Sequence, residues 1–212
     1  IALTIFQKEN DTPGLIQTYA NLALTYYYLN DSEKSIDYAK LALYDARKIQ
    51  KKDTGNIYNI IGLAYMSSNQ LDTALFYFSQ SKAICESTGL SSGVINSLGN
   101  IANIYMSQKE YSKALDIYLQ VKELSKKENN KVNLSLSYVN ISNLYTHLGS
   151  LSNNKTEREE YYNAAVENGE KALEYALELK SLTHINYAYY QLIYSYKGVE
   201  DFQKALEYSE KY

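Results

Sequence analysis

Tyr58-Asn-Ile-Ile-Gly62-Leu-Ala-Tyr65, then the polar break Ser67-Ser-Asn-Gln70, then Leu71-Asp-Thr-Ala74, is the stretch that decides the fold. Tyr58, Ile61, Gly62 and Tyr65 recur at the i, i+3, i+4, i+7 spacing of one helix face. After the break a second helical phase begins, with a bulky residue followed three positions later by a small one. A small residue on each of two consecutive helices lets the pair approach closely, and the aromatics beside it fill the remaining volume.

Outward from this stretch the pattern repeats. Tyr19, Leu22-Ala23, Tyr26 and Ser35 form an earlier copy. Leu98, Ile101-Ala102, Tyr105, Tyr111 and Ala114 form the next. Tyr138, Ile141-Ser142, Tyr145, Tyr162 and Ala165 follow, and Tyr189, Leu192-Ile193, Tyr196, Phe202 and Ala205 close the series. The reference positions Ala23, Gly62, Ala102, Ser142 and Ile193 lie 39, 40, 40 and 51 residues apart. Self-similarity at such a period is the mark of a stacked repeat, because a single helix pair cannot bury its own apolar face.

Composition agrees. The chain has 212 residues, 24 tyrosines, one proline and no tryptophan, and so little proline fits an almost wholly helical chain. Lys and Arg number 21 against 24 Asp and Glu, a net charge of −3, which gives no basic surface for nucleic acid. One cysteine and two histidines exclude a disulfide framework and a multi-cysteine metal site. No apolar run reaches the roughly 18 residues of a membrane span. No nucleophile elbow, paired carboxylates in a cleft or phosphate-binding glycine loop occurs, so neither catalysis nor a cofactor is expected.

The repeat resembles the tetratricopeptide repeat, whose signature is an aromatic, a Leu-Gly pair and a Tyr, then Ala, Phe and Ala on a second helix. The period exceeds that family's usual ~34 residues, each repeat lacks the terminal proline, and Ile193 stands where a small residue belongs. The longer period is similar to that of kinesin light chains and bacterial signalling proteins. The resemblance implies an all-α fold, a right-handed α-solenoid superhelix of antiparallel helix pairs. Residues 1–10 read as the end of a preceding repeat, with repeats at about 15–52, 53–90, 91–130, 131–181 and 182–212. Both ends read as cuts through a longer protein. The compartment is left unassigned.

The fourth repeat carries eleven extra residues, 150–160, and two readings stand: an element that contacts a partner, or a surface insertion with an extended helix starting near Lys155-Thr-Glu-Arg.

The resemblance also implies that first helices line a concave groove for a protein or peptide. Counting from each signature places Asn21 and Tyr28, Asn100 and Asn103, Asn140 and Asn143, and Tyr187, Tyr190, Gln191 and Tyr194 there. Ile60, Thr146, His147 and Lys197 fall in the same set. Asn21, Asn100, Asn140 and Gln191 share one slot, where a ladder of amides pairs with an extended backbone or bridges neighbouring helices. Tyr187, Tyr190 and Tyr194, at i, i+3 and i+7, read either as an anchor for apolar or proline-rich side chains or as packing. With Lys197 alone as a groove cation, a neutral or mildly polar ligand is expected rather than an acidic chaperone tail. Cys85 reads as packing, and Glu167, Glu170, Glu174 and Glu178 as a solvated ridge.

Three functions compete. The first is the sensory or regulatory module of a larger bacterial signal-transduction protein, a histidine kinase or transcriptional regulator. The others are a stand-alone scaffold and a peptide-pheromone receptor. Terminal helices without polar caps predict end-to-end homo-association.

Overall fold

A computed structural model describes Phe6 and residues 11–212. The reading of residues 1–10 as a preceding repeat therefore lies, Phe6 apart, outside the described residues. Among the described residues there are ten α-helices and no strand. In chain order they are α1 (Thr12–Tyr28), α2 (Ser32–Lys48), α3 (Gly55–Ser67), α4 (Leu71–Ser87), α5 (Ser91–Ser107), α6 (Tyr111–Lys127), α7 (Lys131–Leu151), α8 (Lys155–Glu178), α9 (Leu182–Gly198) and α10 (Phe202–Lys211). The chain divides into two compact units, residues 1–104 and 105–212. No helix of the described residues is long and apolar enough to cross a membrane.

Helix starts follow local chemistry. The carboxylates of Asp11, Asp31 and Asp201 and the amide oxygens of Asn130 and Asn154 accept from backbone N–H groups of the first turn. Each satisfies a donor the helix cannot, worth about 1 kcal/mol. Pro13 sits in the first turn of α1, where its missing N–H costs nothing.

Helix ends are more uniform still. At eight of the nine turns between described helices, the residue after the turn donates its N–H five residues back, as in Asp31 N to Tyr26 O and Gln70 N to Tyr65 O. The residue before it has positive φ: Asn30, Gln50, Asn69, Gly89, Lys109, Asn129, Lys180 and Glu200. Within each unit this left-handed cap folds a helix sharply back on its predecessor. The connection from α7 to α8 alone departs from it: Ser152 is extended, with ψ 128°.

That connection is also where the extra residues lie. Here α7 has 21 residues and α8 has 24, against the 17 of α1, α2, α4, α5, α6 and α9. The eleven residues are thus absorbed as added turns on both helices, with α8 starting at Lys155.

In the first unit, Ile16, Ala20 and Ala23 of α1, Ala39, Ala42 and Ala46 of α2, and Ile57, Ile60 and Ile61 of α3 form one buried cluster. Ile60, expected in the groove, is 2% exposed. Gly62 of α3 faces the fully buried ring of Phe78 on α4, where an added Cβ would stand 2.6 Å from a ring carbon. In the second unit, Leu192 and Tyr196 of α9 pack with Ala205 of α10, supported by Val166, Leu173, Val199 and Tyr208.

The tyrosines have a repeated task. Tyr26 stacks on Tyr38 at 5.4 Å, Tyr65 on Tyr77 at 5.3 Å and Tyr196 on Tyr208 at 5.7 Å, always three residues beyond the small position of each helix. Serines replace alanine at other close approaches and donate across the seam: Ser35 Oγ to Ala23 O at 2.8 Å, Ser135 Oγ to Ala172 O at 3.0 Å, and Ser142 Oγ to Ala165 O at 2.7 Å. A buried hydroxyl without such a partner would cost about 1–3 kcal/mol.

Candidate functional site

The second unit holds a cavity of about 410 Å³ between the first helices of two successive pairs, α7 and α9. From α7, Asn143, Thr146, His147 and Ser150 point into it at i, i+3, i+4 and i+7. From α9 come Tyr190, Gln191, Tyr194 and Lys197. Both sets are single helix faces, so helical periodicity alone brings them together.

The Tyr162 ring of α8 completes the wall. It packs against Gly149 and would overlap any side chain added at Gly198, so both helices use glycine to admit it. The longer α8 thus carries a cavity residue, whereas its first six residues, 155–160, are exposed.

Under the cleft a hydroxyl network ties the helices. Thr146 Oγ1 and Ser195 Oγ lie 3.0 Å apart, Ser195 Oγ donates to Gln191 O at 2.9 Å, and Ser142 Oγ lies 3.4 Å from Ser195 Oγ. At the rim, His147 Nε2 and the Tyr111 hydroxyl of α6 are 2.8 Å apart.

A second cavity, of about 560 Å³, lies along the same face of α9, lined by Thr183, Asn186, Tyr187, Tyr190, Gln191 and Tyr212. Tyr190 and Gln191 line both. Tyr187, Tyr190 and Tyr194 are 50%, 45% and 46% exposed, so about half of each ring faces outward. Tyr190 meets Tyr194 with ring centroids at 4.9 Å and planes at 53°, and Tyr212 at 6.2 Å and 50°. A hydrogen bond with Tyr194 pushes the Tyr190 phenol above its ordinary pKa. Lys197 Nζ sits 5.5 Å from the Tyr194 ring centroid, a cation–π contact. Neither cavity lining contains a carboxylate.

Asn143, Tyr190, Gln191 and Tyr194 are therefore brought into one cleft, with Tyr187 beside it. Asn140 is half-buried on α7. The remaining four expected groove residues belong to the first unit. Asn21 is exposed and accepts from Gln17 Nε2 at 3.0 Å, Tyr28 is exposed against Tyr27, and Asn103 is exposed. Asn100 Nδ2 donates to Asn59 Oδ1 at 3.0 Å, bridging α5 and α3 as the alternative reading of the amide slot has it. Thr183, Asn186, Ser150 and Tyr162 were missing from the sequence-based set. Extending the α9 stripe backward by i−4 from Tyr187 would have reached Thr183.

Other candidates resolve into structure. Cys85 is buried with its sulfur between Gly55 and Gly93, and burial pushes its thiol up in pKa, away from reactivity. In the acidic ridge, Glu174 pairs with Lys171 at 2.8 Å, Glu178 with Lys131 at 2.7 Å, and Glu170 accepts from the Tyr196 hydroxyl at 2.6 Å. No group of three or more His, Cys, Asp or Glu among the described residues could hold a metal ion.

Profiles described as tetratricopeptide repeat match residues 16–44, 55–88 and 97–132. No curated protein sequence matches. Among solved structures, BtubC (BKLC) from P. vanneervenii superposes with TM-score 0.78 at 19% identity, covering 99% of this chain and 83% of that one. The STAND protein with a tetratricopeptide repeat sensor from Pyrococcus horikoshii gives 0.74 at 21% identity, over 92% of this chain and 29% of that one. A Rap protein complexed with Competence and Sporulation Factor gives 0.61 at 12% identity, over 99% and 71%. At these identities the likeness establishes the fold: an all-α solenoid of helix pairs.

Proposed function

The chain belongs to the tetratricopeptide-repeat family, and on that footing we propose that it binds a protein or peptide in the cleft between α7 and α9. The observation that carries this reading is the open face of Tyr187, Tyr190 and Tyr194 beside the amides of Asn143 and Gln191. Exposed aromatics with polar tips supply contact area at small entropic cost, and side-chain amides pair with both backbone donors and acceptors. No catalytic role is assigned: the cleft holds phenols, amides, hydroxyls and the His147 imidazole around one lysine.

The binding module serves as the sensory or regulatory part of a larger bacterial signalling protein, in which ligand capture biases the helix stack and an adjoining domain reads the change. The neighbour with a repeat sensor and the neighbour bound to a factor support this reading by analogy of fold. Recognition of a peptide pheromone is one form of it. A scaffold is the second reading, favoured by the exposed Phe202 and Leu206 on α10, which also suit end-to-end association.

Selection of a random heptapeptide library on the immobilised chain tests the site. Binders should lose affinity on Tyr190→Ala and Asn143→Ala with the circular dichroism spectrum unchanged. Binders indifferent to both would place recognition elsewhere. A kinase or DNA-binding domain in the same reading frame is the expected output, and its absence would leave the scaffold.

A further inference from the structure

The two basic side chains of the cleft stand at one level of it. Thr146 Oγ1 of α7 and Ser195 Oγ of α9 lie 3.0 Å apart, so the helices touch there. His147 follows Thr146 directly, and Lys197 lies two residues beyond Ser195. At ~1.5 Å per residue, both stand within about 3 Å of that contact along their helix axes. Both are exposed, and both line the cavity of about 410 Å³. In the sequence Lys197 is the single groove cation; the fold sets an imidazole beside it.

Neither base is answered by an acid of the protein. Elsewhere in the second unit lysines meet carboxylates, Lys131 with Glu178 at 2.7 Å and Lys171 with Glu174 at 2.8 Å. Lys197 makes no ion pair among the described residues, and its Nζ rests over the Tyr194 ring. His147 uses Nε2 toward the Tyr111 hydroxyl at 2.8 Å. When that phenol donates, the neutral imidazole carries its proton on Nδ1, for which no acceptor stands among the described residues; when the ring is protonated, both nitrogens donate. A ligand lying over Lys197 strips water from an ammonium, and a neutral one returns nothing for it. A carboxylate returns a charge-assisted hydrogen bond. A cationic group would be repelled, with no acid in the lining to hold it. The lining also runs past the two bases, to Ser150 on one side and to Asn143 and Gln191 on the other. Those amides can bond a peptide backbone as donor and acceptor, which suits a chain that passes through and offers its carboxylate from a side chain.

We propose that this level of the cleft is the subsite for an aspartate or glutamate side chain of the bound peptide, held between Lys197 and His147; the inference rests on the cleft being a peptide site.

The probes are acetylated and amidated heptapeptide libraries that differ only at the fourth residue, which is Glu, Gln or Lys, with neutral residues randomised elsewhere. A further Gln library carries a free carboxyl terminus. Capture by the immobilised chain is compared at low salt. Both bases are exposed, so screening limits the effect, and the Glu library is expected to exceed the Gln library several-fold and the Lys library by more. That preference should vanish on Lys197→Gln, fall on His147→Ala, and survive Lys197→Arg, all with an unchanged circular dichroism spectrum. Equal capture of the Glu and Gln libraries would overturn the proposal, as would a preference that persists in full in Lys197→Gln or His147→Ala. A free-terminus Gln library matching the Glu library would assign the carboxylate to the chain end and overturn it too. In each of these cases, capture that still depends on Tyr190 leaves the peptide site standing. No Tyr190-dependent capture from any library would remove both.

Discussion

Replacing Gly62 with alanine should have opposite signs in two backgrounds. In the native chain, the new methyl group would stand 2.6 Å from a ring carbon of Phe78, a side chain with no exposed surface in which to retreat. Overpacking of this kind costs about 1–3 kcal/mol. Alanine in place of glycine inside a helix returns about 1 kcal/mol. The net effect of Gly62→Ala alone is a loss of up to about 2 kcal/mol. Phe78→Ala alone opens a cavity at a cost of about 3–5 kcal/mol. With the ring gone, the three atoms nearest the new methyl go with it and Gly62→Ala keeps its propensity gain, so it should stabilise the Phe78→Ala protein by about 1 kcal/mol. The coupling between the sites is then about 1–3 kcal/mol, well above the ~0.5 kcal/mol scatter of independent positions. Urea midpoints of the four proteins, compared at a common slope, measure it. Additive effects, or a Gly62→Ala that destabilises both backgrounds alike, would refute the account of the small position as the seat of a ring.

Gly198→Ala should displace Tyr162, destabilise the second unit by about 1–3 kcal/mol and weaken cleft binders, whereas Gly99→Ala, with open space at its Cβ, should do neither; paired melting and binding curves decide. Lys180→Gly relieves a left-handed residue at φ 51° and should raise the melting temperature by about 2–4 °C, for a gain of about 1 kcal/mol. Burial pushes the Tyr118 phenol, and burial with the Glu170 carboxylate the Tyr196 phenol, above the ordinary 10.0. The folded state thus favours the neutral phenol. Stability from these residues is intact below about pH 10 and falls as the pH rises further, because the unfolded chain ionises first. Urea midpoints should decline above that value, with a late-titrating fraction of tyrosinate absorbance. A flat midpoint would count against the burial of these rings. Thiol reagents should modify Cys85 only in denaturant.

Helix pairs were legible in the sequence because a period of about 3.6 is a property of one chain segment. The serine in the Ser142 slot reads as small, and it is small; that it also donates to Ala165 requires the partner helix. What periodicity does not contain is which flank of a helix a neighbour covers. Ile60 and Asn100 share a slot, yet one is in the core and the other bridges to Asn59. The same limit leaves the α9 tyrosines open to two readings. The extra residues of the fourth repeat carried the start of α8 in their own sequence, but the placing of Tyr162 against Gly149 and Gly198 arises only when three helices meet.

Eight of the nine joints between described helices close with the same left-handed step, which fixes the direction in which the chain leaves the helix. The ninth, Ser152 to Asn154, is free of that constraint and sits at the end of two overlong helices. Length can vary there without disturbing the stack, which makes it the natural insertion point for a reporter domain. Because α8 runs from that point directly to Tyr162, such a reporter would be wired to the wall of the cleft, and ligand capture could be followed as a change in its signal.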